Sequence, residues 1–274
     1  MSRLAARPAL PTPTDFIVTK EHRRFIEFCD ACRRYRHIGL CHGAPGVGKT
    51  LSAREYARWD LVEAPASYYL PSAEVPPAFI TERTIVYTPG VATAPRQVER
   101  TVQDLRRRVN ALALRALQAQ DGDGSGEADR VPDLIIVDEA DRLKMAGLEQ
   151  LRDLYDRGNL GLIFIGMPGL EKRLARYAQL YSRVGFVHQF RTLSTEEMQF
   201  ILAHKWAQLG LTLSADDFTD AEAVAAIVRI TGGNFRLIQR LFTQIERILQ
   251  INTMRTVTKE VVEAARESMV IGPL

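Results

Sequence analysis

The sequence predicts an α/β fold: a parallel sheet flanked by helices, followed by a small C-terminal all-α lid. Three observations carry this expectation. Short apolar runs alternate with amphipathic helical stretches as far as residue 191. A glycine-rich turn joins the first run to the next helix. From Ser194 onward the strand-like runs stop and only helical periodicity remains. The expected organisation is a flexible N-terminal arm over 1–15, an α/β core over 16–191 with a mobile acidic loop at 120–130, and a helical lid over 192–274.

Each element follows from its pattern. "EHRRFIEFCDACRRYR" reads as an amphipathic helix with Phe25, Ile26, Phe28, Cys29 and Cys32 on its apolar side. "HIGLC" (37–41) is the first strand, and "LSAREYARW" (51–59) the helix after the glycine-rich turn. An irregular, Pro-rich stretch (64–77) leads to a strand at 84–90. A long helix at 95–119 then sets Val98, Val102, Leu105, Val109 and Leu112 on one side. "QDGDGSGEAD" (120–129) has the composition of a linker. The strand in "DLIIVDEAD" (133–141) is followed by a helix carrying Leu148, Leu151 and Leu154, a strand at 161–166, a helix after "MPG", and a last strand at 186–190. In the lid, "STEE" is a capping box pairing Ser194 with Glu197, ahead of Met198, Ile201, Leu202 and Leu209. Gly232 or Gly233 ends the next helix and Asn234 caps another, in which Leu237, Ile238, Leu241, Phe242, Ile245 and Ile248 recur at helical spacing. A final helix is expected over about 259–269.

The chemistry begins at "CHGAPGVGKT" (41–50), a phosphate-binding loop in the required context of preceding strand and following helix. Gly43, Gly46 and Gly48 let successive backbone N–H groups point into one concavity, and the helix N-terminus favours an anion there. Lys49 reaches the β and γ phosphates, and the Thr50 hydroxyl ligates Mg²⁺. The expected nucleotide-binding set is Gly43, Ala44, Pro45, Gly46, Val47, Gly48, Lys49, Thr50 and Leu51. A run of β-branched and leucine residues ends in Asp138 and Glu139, as suits a buried parallel strand whose carboxyl end meets the phosphates. Asp138 is the expected partner of the Mg²⁺ shell, and Glu139 is placed to polarise the attacking water.

Composition narrows the possibilities. The 274 residues, 46% hydrophobic, suffice for one large core or two modest ones. That length rejects a helicase with two motor lobes, despite the letters DEAD at 138–141. The net charge is +3, and the 36 basic residues divide into six lysines and thirty arginines. Such arginine use is as compatible with genome composition as with a nucleic-acid partner, so the global charge carries little weight. No apolar run approaches a membrane span, and "MSRLAARPALPTPT" lacks the apolar core of a signal peptide, so a soluble, cytoplasmic chain without a membrane partner is expected. Cys29 and Cys32 form a CxxC with His37, Cys41 and His42 nearby, which raises a zinc site. Their positions on an apolar helix side and in the first strand favour buried core.

The order of phosphate loop, "LIIVDEAD", "GLIFIGMPGLEKRL", "LYSRVGF" and "TGGNFRLIQRL" resembles an AAA+ ATPase, and within that class the MuB, TniB and TnsC group of transposition regulators. The similarity runs from about Phe16 to Met269; relatives in type II secretion and origin recognition share much of it. The resemblance implies ATP with Mg²⁺, and Arg183 in "YSRVG" as an arginine finger that enters the γ-phosphate site of the neighbouring subunit, with Arg173 or Arg176 as alternatives. It implies Arg236 in "GGNFR" as the lid arginine that senses nucleotide within the same chain. It further implies a head-to-tail homo-oligomer or filament on double-stranded DNA, and recruitment of a transposase and other target-selection proteins. Relatives set a polar residue after the fourth strand to orient the attacking water; here that place holds Met167, a poor hydrogen-bonding partner, which implies slow hydrolysis.

By the same resemblance, Thr88, Thr93, Arg96 and Arg100 are nominated as DNA contacts, chiefly to phosphate. The triplet Arg106, Arg107 and Arg108 reads as a solvated helix face. The arm at 1–15 stays open between DNA, a partner and neither. Two rival functions belong to other classes: a helicase loader or initiator, and a secretion or signalling ATPase acting on protein partners. The absence of a peptidoglycan or transmembrane module weighs against the latter.

Overall fold

The computed structural model describes residues 16–63, 72–120, 130–214 and 216–269. The expected arm at 1–15, positions 64–71 of the Pro-rich stretch, 121–129 of the acidic loop, and 270–274 at the end of the lid lie outside the described residues. Among the described residues no helix is long and apolar enough to cross a membrane.

Helix α1 (Lys20–Tyr35) starts where the Thr19 hydroxyl accepts the His22 backbone N–H at 3.0 Å, and ends at Arg36 in the left-handed region. Strands β1 (Ile38–His42), β2 (Thr84–Tyr87), β3 (Leu134–Val137), β4 (Gly161–Gly166) and β5 (Val184–Gln189) form one parallel sheet in the order β2-β3-β4-β1-β5. β1 therefore delivers its carboxyl end to the interior of the sheet, between β4 and β5. β3 and β4 are buried along their whole length, as expected of apolar strands covered on both faces. α1 packs against β1, β4 and β5. Its approach is so close that a Cβ on Gly39 would stand 2.5 Å from Cys32 Sγ, and one on Gly161 would stand 2.7 Å from the Cys32 carbonyl oxygen. Cys29, Cys32 and Cys41 are all fully buried, and burial pushes the Cys32 thiol up to about 12.

The structure redraws several predicted elements. The strand expected over 84–90 ends at Tyr87, ahead of an exposed Thr88. The helix expected over 51–59 is α2 (Lys49–Tyr56) and then α3 (Trp59–Glu63), because Arg58 adopts a left-handed conformation, φ 49°, between them. Beyond α4 (Ala78–Thr81), the long helix α5 (Pro95–Gln118) and α6 (Met145–Gly158) follow the sequence pattern. The helix after "MPG" is broken into α7 (Leu170–Leu174) and α8 (Ala178–Tyr181), with Tyr177 at φ −112°, ψ 80° outside the helical region. The last strand begins at Val184 rather than at 186; along it Val184, Phe186 and His188 are half-buried while Val187 is exposed.

The C-terminal region contains α9 (Thr195–Gln208), α10 (Phe218–Thr231), α11 (Phe235–Ile251) and α12 (Lys259–Glu267). It has its own apolar cluster, in which Trp206 meets Phe242 edge-on at 5.4 Å and donates its indole N–H to Asp220 Oδ1 at 3.2 Å. The capping box forms: Ser194 Oγ accepts the Glu197 N–H at 3.3 Å, and Glu197 Oε2 accepts the Ser194 N–H at 2.9 Å. Glu197 Oε1 also accepts the Lys20 backbone N–H at 2.8 Å and that of Glu21 at 3.3 Å, tying the start of α1 to the start of α9.

Candidate nucleotide-binding site

The loop over 43–48 turns between β1 and α2 in a conformation that only its glycines tolerate. Gly46 has φ 81° and Gly48 φ 112°. The loop is held from outside as well: Asn234 Nδ2 and the Arg236 N–H donate to the carbonyls of Pro45 (2.8 Å) and Gly46 (2.9 Å), while the Phe190 N–H fixes the end of β1 at the His42 carbonyl, 2.8 Å away. The start of α11 is therefore seated directly on the loop. A Cβ on Gly46 would stand 2.6 Å from Asn234 Oδ1 and 2.8 Å from Arg236 Cβ.

Lys49 opens α2 and donates from Nζ to the carbonyls of Gly43 (2.6 Å) and Ala44 (2.8 Å). Burial lowers its pKa, with the Cys41 and Asp138 groups pulling the other way. Thr50 Oγ1 donates to Asp138 Oδ2 at 2.7 Å, and Asp138 Oδ1 accepts the Glu139 N–H at 2.9 Å. Asp138 is buried where β3 ends; Glu139, in the left-handed region at φ 51°, is turned to solvent. A cavity of about 690 Å³ opens over these groups, and its walls include Gly46, Lys49, Thr50, Asp138, Glu139 and Arg236. The structure thus brings together the predicted loop, both predicted carboxylates and Arg236. Adjoining hydroxyl and carboxylate oxygens, from Thr50 and Asp138, are the hard donors that suit a divalent cation such as Mg²⁺.

Arg183 is not part of this wall. Its Nε donates to Asp156 Oδ1 at 2.6 Å and its Nη2 to Asp156 Oδ2 at 3.0 Å, a bidentate pair with α6, while Nη1 donates to the Gln179 carbonyl. Of the alternatives, Arg173 is committed to the carbonyls of Asp141 and Leu143, whereas Arg176 is exposed between α7 and α8. Met167 lies in the cavity wall, 43% exposed, with its backbone N–H donated to Asp141 Oδ2 at 2.7 Å. Asp141 thereby puts a carboxylate where the predicted sensor side chain is apolar, in space that only glycine at 166 leaves open: a Cβ there would lie 2.3 Å from Oδ2.

The nominated DNA contacts lie elsewhere. Thr88 is exposed just past β2, Thr93 Oγ1 donates to the Gly90 carbonyl at 2.9 Å, and Arg96 and Arg100 are exposed one turn apart on α5. Arg96 and Arg100, but not Thr88 or Thr93, line an open depression together with Glu99, Gln103, Asp104 and Arg107. Arg107 and Arg108 are exposed as expected, but Arg106 is half-buried with its Nε turned inward.

Sequence reasoning missed a second cavity of about 290 Å³, which shares Gly48, Leu51, Phe235 and Gln239 with the first. Phe16, Ile17, Val47, Phe190 and Leu193 give it an apolar lining, with His22 at one side, its pKa lowered by burial. The missed signal was the "DFIV" segment ahead of α1, which has no helical or strand period of its own. Arg142, also overlooked, sits beside Glu139 at the cavity edge.

Comparison with known proteins gives these arrangements a family. Residues 32–174 match the AAA domain. A "Potential ATP-binding protein" of Staphylococcus aureus is 46% identical over 266 residues, covering 94% of this chain and 97% of that one. The Mu-like prophage FluMu DNA transposition protein B of Haemophilus influenzae is 25% identical over 248 residues, covering 86% of this chain and 74% of that one. Among solved structures, the RuvB Holliday junction branch migration motor of Thermotoga maritima superposes with a TM-score of 0.57 at 17% identity, covering 92% of this chain and 70% of that one, a likeness of fold alone. The chain belongs to the AAA domain family and is an ATP-binding P-loop ATPase.

Proposed function

We propose that this AAA-domain ATPase is a regulator of DNA transposition that assembles head to tail on double-stranded DNA in its ATP-bound form, recruits or stimulates a transposase, and comes apart on hydrolysis. The observation that carries the reading is a complete set of hydrolytic groups around one cavity, Lys49, Thr50, Asp138 and Glu139, in a chain related along most of its length to a DNA transposition protein.

ATP phosphates lie along the N–H groups of the 43–48 loop, with the adenine in the adjoining apolar cavity between Phe16, Ile17, Phe190 and Leu193. Lys49 exchanges the Gly43 and Ala44 carbonyls for β and γ phosphate oxygens. Thr50 and Asp138 would hold Mg²⁺, which would supply positive charge to offset that of the triphosphate. Glu139 orients the attacking water and takes its proton. Arg236, anchored by its backbone to Gly46, answers to the nucleotide from the same chain. Arg183 acts on the neighbouring subunit, where its guanidinium stabilises transition-state charge, so that assembly and hydrolysis depend on each other. Met167 cannot hold a water as an amide or hydroxyl would, and hydrolysis is slow. Thr88, Thr93, Arg96 and Arg100 contact DNA phosphates with little regard to sequence. A head-to-tail interface that does not close produces a filament without any further device.

The test is electron microscopy of the chain with ATP, a non-hydrolysable analogue or ADP, each with and without duplex DNA. Filaments that need both ATP and duplex are expected. Discrete particles indifferent to DNA, or turnover and assembly unaltered in Arg183→Ala, would refute the reading.

A further inference from the structure

A nucleotide placed as above spans two cavities, and only one strip of wall belongs to both. Gly48, Leu51, Phe235 and Gln239 line the larger, phosphate-side cavity and the smaller apolar one alike. With phosphates on the 43–48 loop and adenine among Phe16, Ile17, Phe190 and Leu193, the unit that crosses this strip is the sugar, because the ribose joins base to phosphates. Of the strip residues, Gly48 has no side chain, and Leu51 and Phe235 offer only hydrocarbon. Gln239 is the one that can hydrogen-bond a hydroxyl through its side chain, whose amide carries both an acceptor oxygen and N–H donors. That amide bonds to no other group among the described residues; the Thr243 hydroxyl donates to the Gln239 backbone carbonyl instead, at 3.1 Å. Lys205, Arg54 and Thr19 also face the apolar cavity, but each is engaged: Lys205 Nζ with Gln208 Oε1, Arg54 with Asp60 and Glu63, and Thr19 Oγ1 with the His22 N–H.

Gln239 is also well positioned. It stands one helical turn beyond Phe235 on α11, whose start is seated on the loop through Asn234 and Arg236. The same two turns bring Arg236 and Arg240 to the phosphate cavity, so α11 meets a nucleotide with a charged row for the phosphates and a neutral row beside it.

We propose that Gln239 reads the sugar: its side-chain amide hydrogen-bonds the ribose cis-diol, so that the chain prefers ribonucleotides to deoxyribonucleotides. The inference rests on the placement of ATP across the two cavities given above. A site that hydrogen-bonds a hydroxyl disfavours the analogue lacking it, because the protein group is left unpaired. Gln239 is half-buried, so water partly replaces the missing hydroxyl, and the preference is that of one neutral hydrogen bond, about fivefold.

The experiment uses the full chain and isothermal titration calorimetry with unlabelled ADP, 2′-deoxy-ADP and 3′-deoxy-ADP, so that no label touches the sugar and no hydrolysis intervenes. Gln239→Leu removes the amide at similar volume, Gln239→Met repeats the test with an unbranched side chain, and melting temperature checks that each variant folds. The parent should bind at least one of the deoxynucleotides about fivefold more weakly than ADP. In either variant ADP should weaken about fivefold while that deoxynucleotide binds as it does to the parent, which erases the preference. A side chain that merely shapes the cavity would weaken all three alike. The inference is overturned by a parent that binds the three equally, by variants that keep the parent's preference, or by equal losses for all three; ADP binding by the parent then leaves the nucleotide placement standing. A parent that binds no ADP removes that placement and this inference together.

Discussion

Two loops leave the carboxyl edge of the same sheet, and they are built in opposite ways. The 43–48 loop after β1 is locked by donors from Asn234 and Arg236 and by two glycines at positive φ. The 88–94 loop after β2 is exposed over most of its length and is closed by one internal bond and by Arg142 Nη1, which donates to the Pro89 carbonyl at 3.2 Å. The difference matches the ligands proposed for them. A triphosphate has one shape, and a rigid cradle avoids an ordering cost each time it binds. A DNA backbone presents a repeating, less discriminating surface, which a loop with few internal bonds can follow.

The contrast can be broken in several ways. The largest expected effect is at the rigid side: Glu139→Gln should lower turnover about 10²–10⁴-fold, the usual worth of a general base, while a fluorescent-nucleotide titration shows undiminished binding. Turnover that survives this change would remove Glu139 from its assigned role. Next, a single methyl should separate the loops. Gly46→Ala, which meets Asn234 Oδ1 at 2.6 Å, should cost about 1–3 kcal/mol, seen as a lower melting temperature and weaker nucleotide binding. Gly90→Ala, whose new Cβ would lie 3.4 Å from Thr93 Oγ1, should stay within about 0.5 kcal/mol. Equal penalties at both positions would erase the distinction. On the adaptable side, replacing Arg96 and Arg100 by alanine should flatten the salt dependence of duplex binding by about 0.9 in log–log slope per lost phosphate contact, at unchanged basal turnover. An unaltered slope would move the DNA surface elsewhere. The smallest effect is expected from Met167→Asn, which should speed hydrolysis at most about fivefold, the value of one neutral hydrogen bond. No gain in single-turnover rate would mean that the Asp141 carboxylate, or nothing at all, fills that position.

What the sequence disclosed was local. The phosphate loop lies within ten consecutive letters, Asp138 and Glu139 close one apolar run, and the Ser194–Glu197 box spans four residues, so each could be read by spacing. The parallel sheet was legible from alternation, although Arg58 and Tyr177 divide two helices that periodicity alone would leave whole. Contacts between distant letters were not legible. Asn234 reaches Pro45 across 189 positions, Asp156 claims Arg183 across 27, and the second cavity gathers Phe16, Val47, Phe190 and Leu193 from separate segments. Arg142 stood beside the motif in plain view. Nothing in its spacing hinted at Pro89, because that partner is supplied by the adjacency of β2 and β3.

Helix α1 has a mechanical consequence. One of its flanks is pressed into the sheet at Gly39 and Gly161 with no space for a single added carbon, and its first residues hang from Glu197 at the head of α9. A helix so clamped behaves as a stiff lever. Any displacement of β1 or β4 during the nucleotide cycle would be carried along it to the C-terminal bundle, giving that bundle a route to sense the state of the sheet that bypasses the phosphate loop.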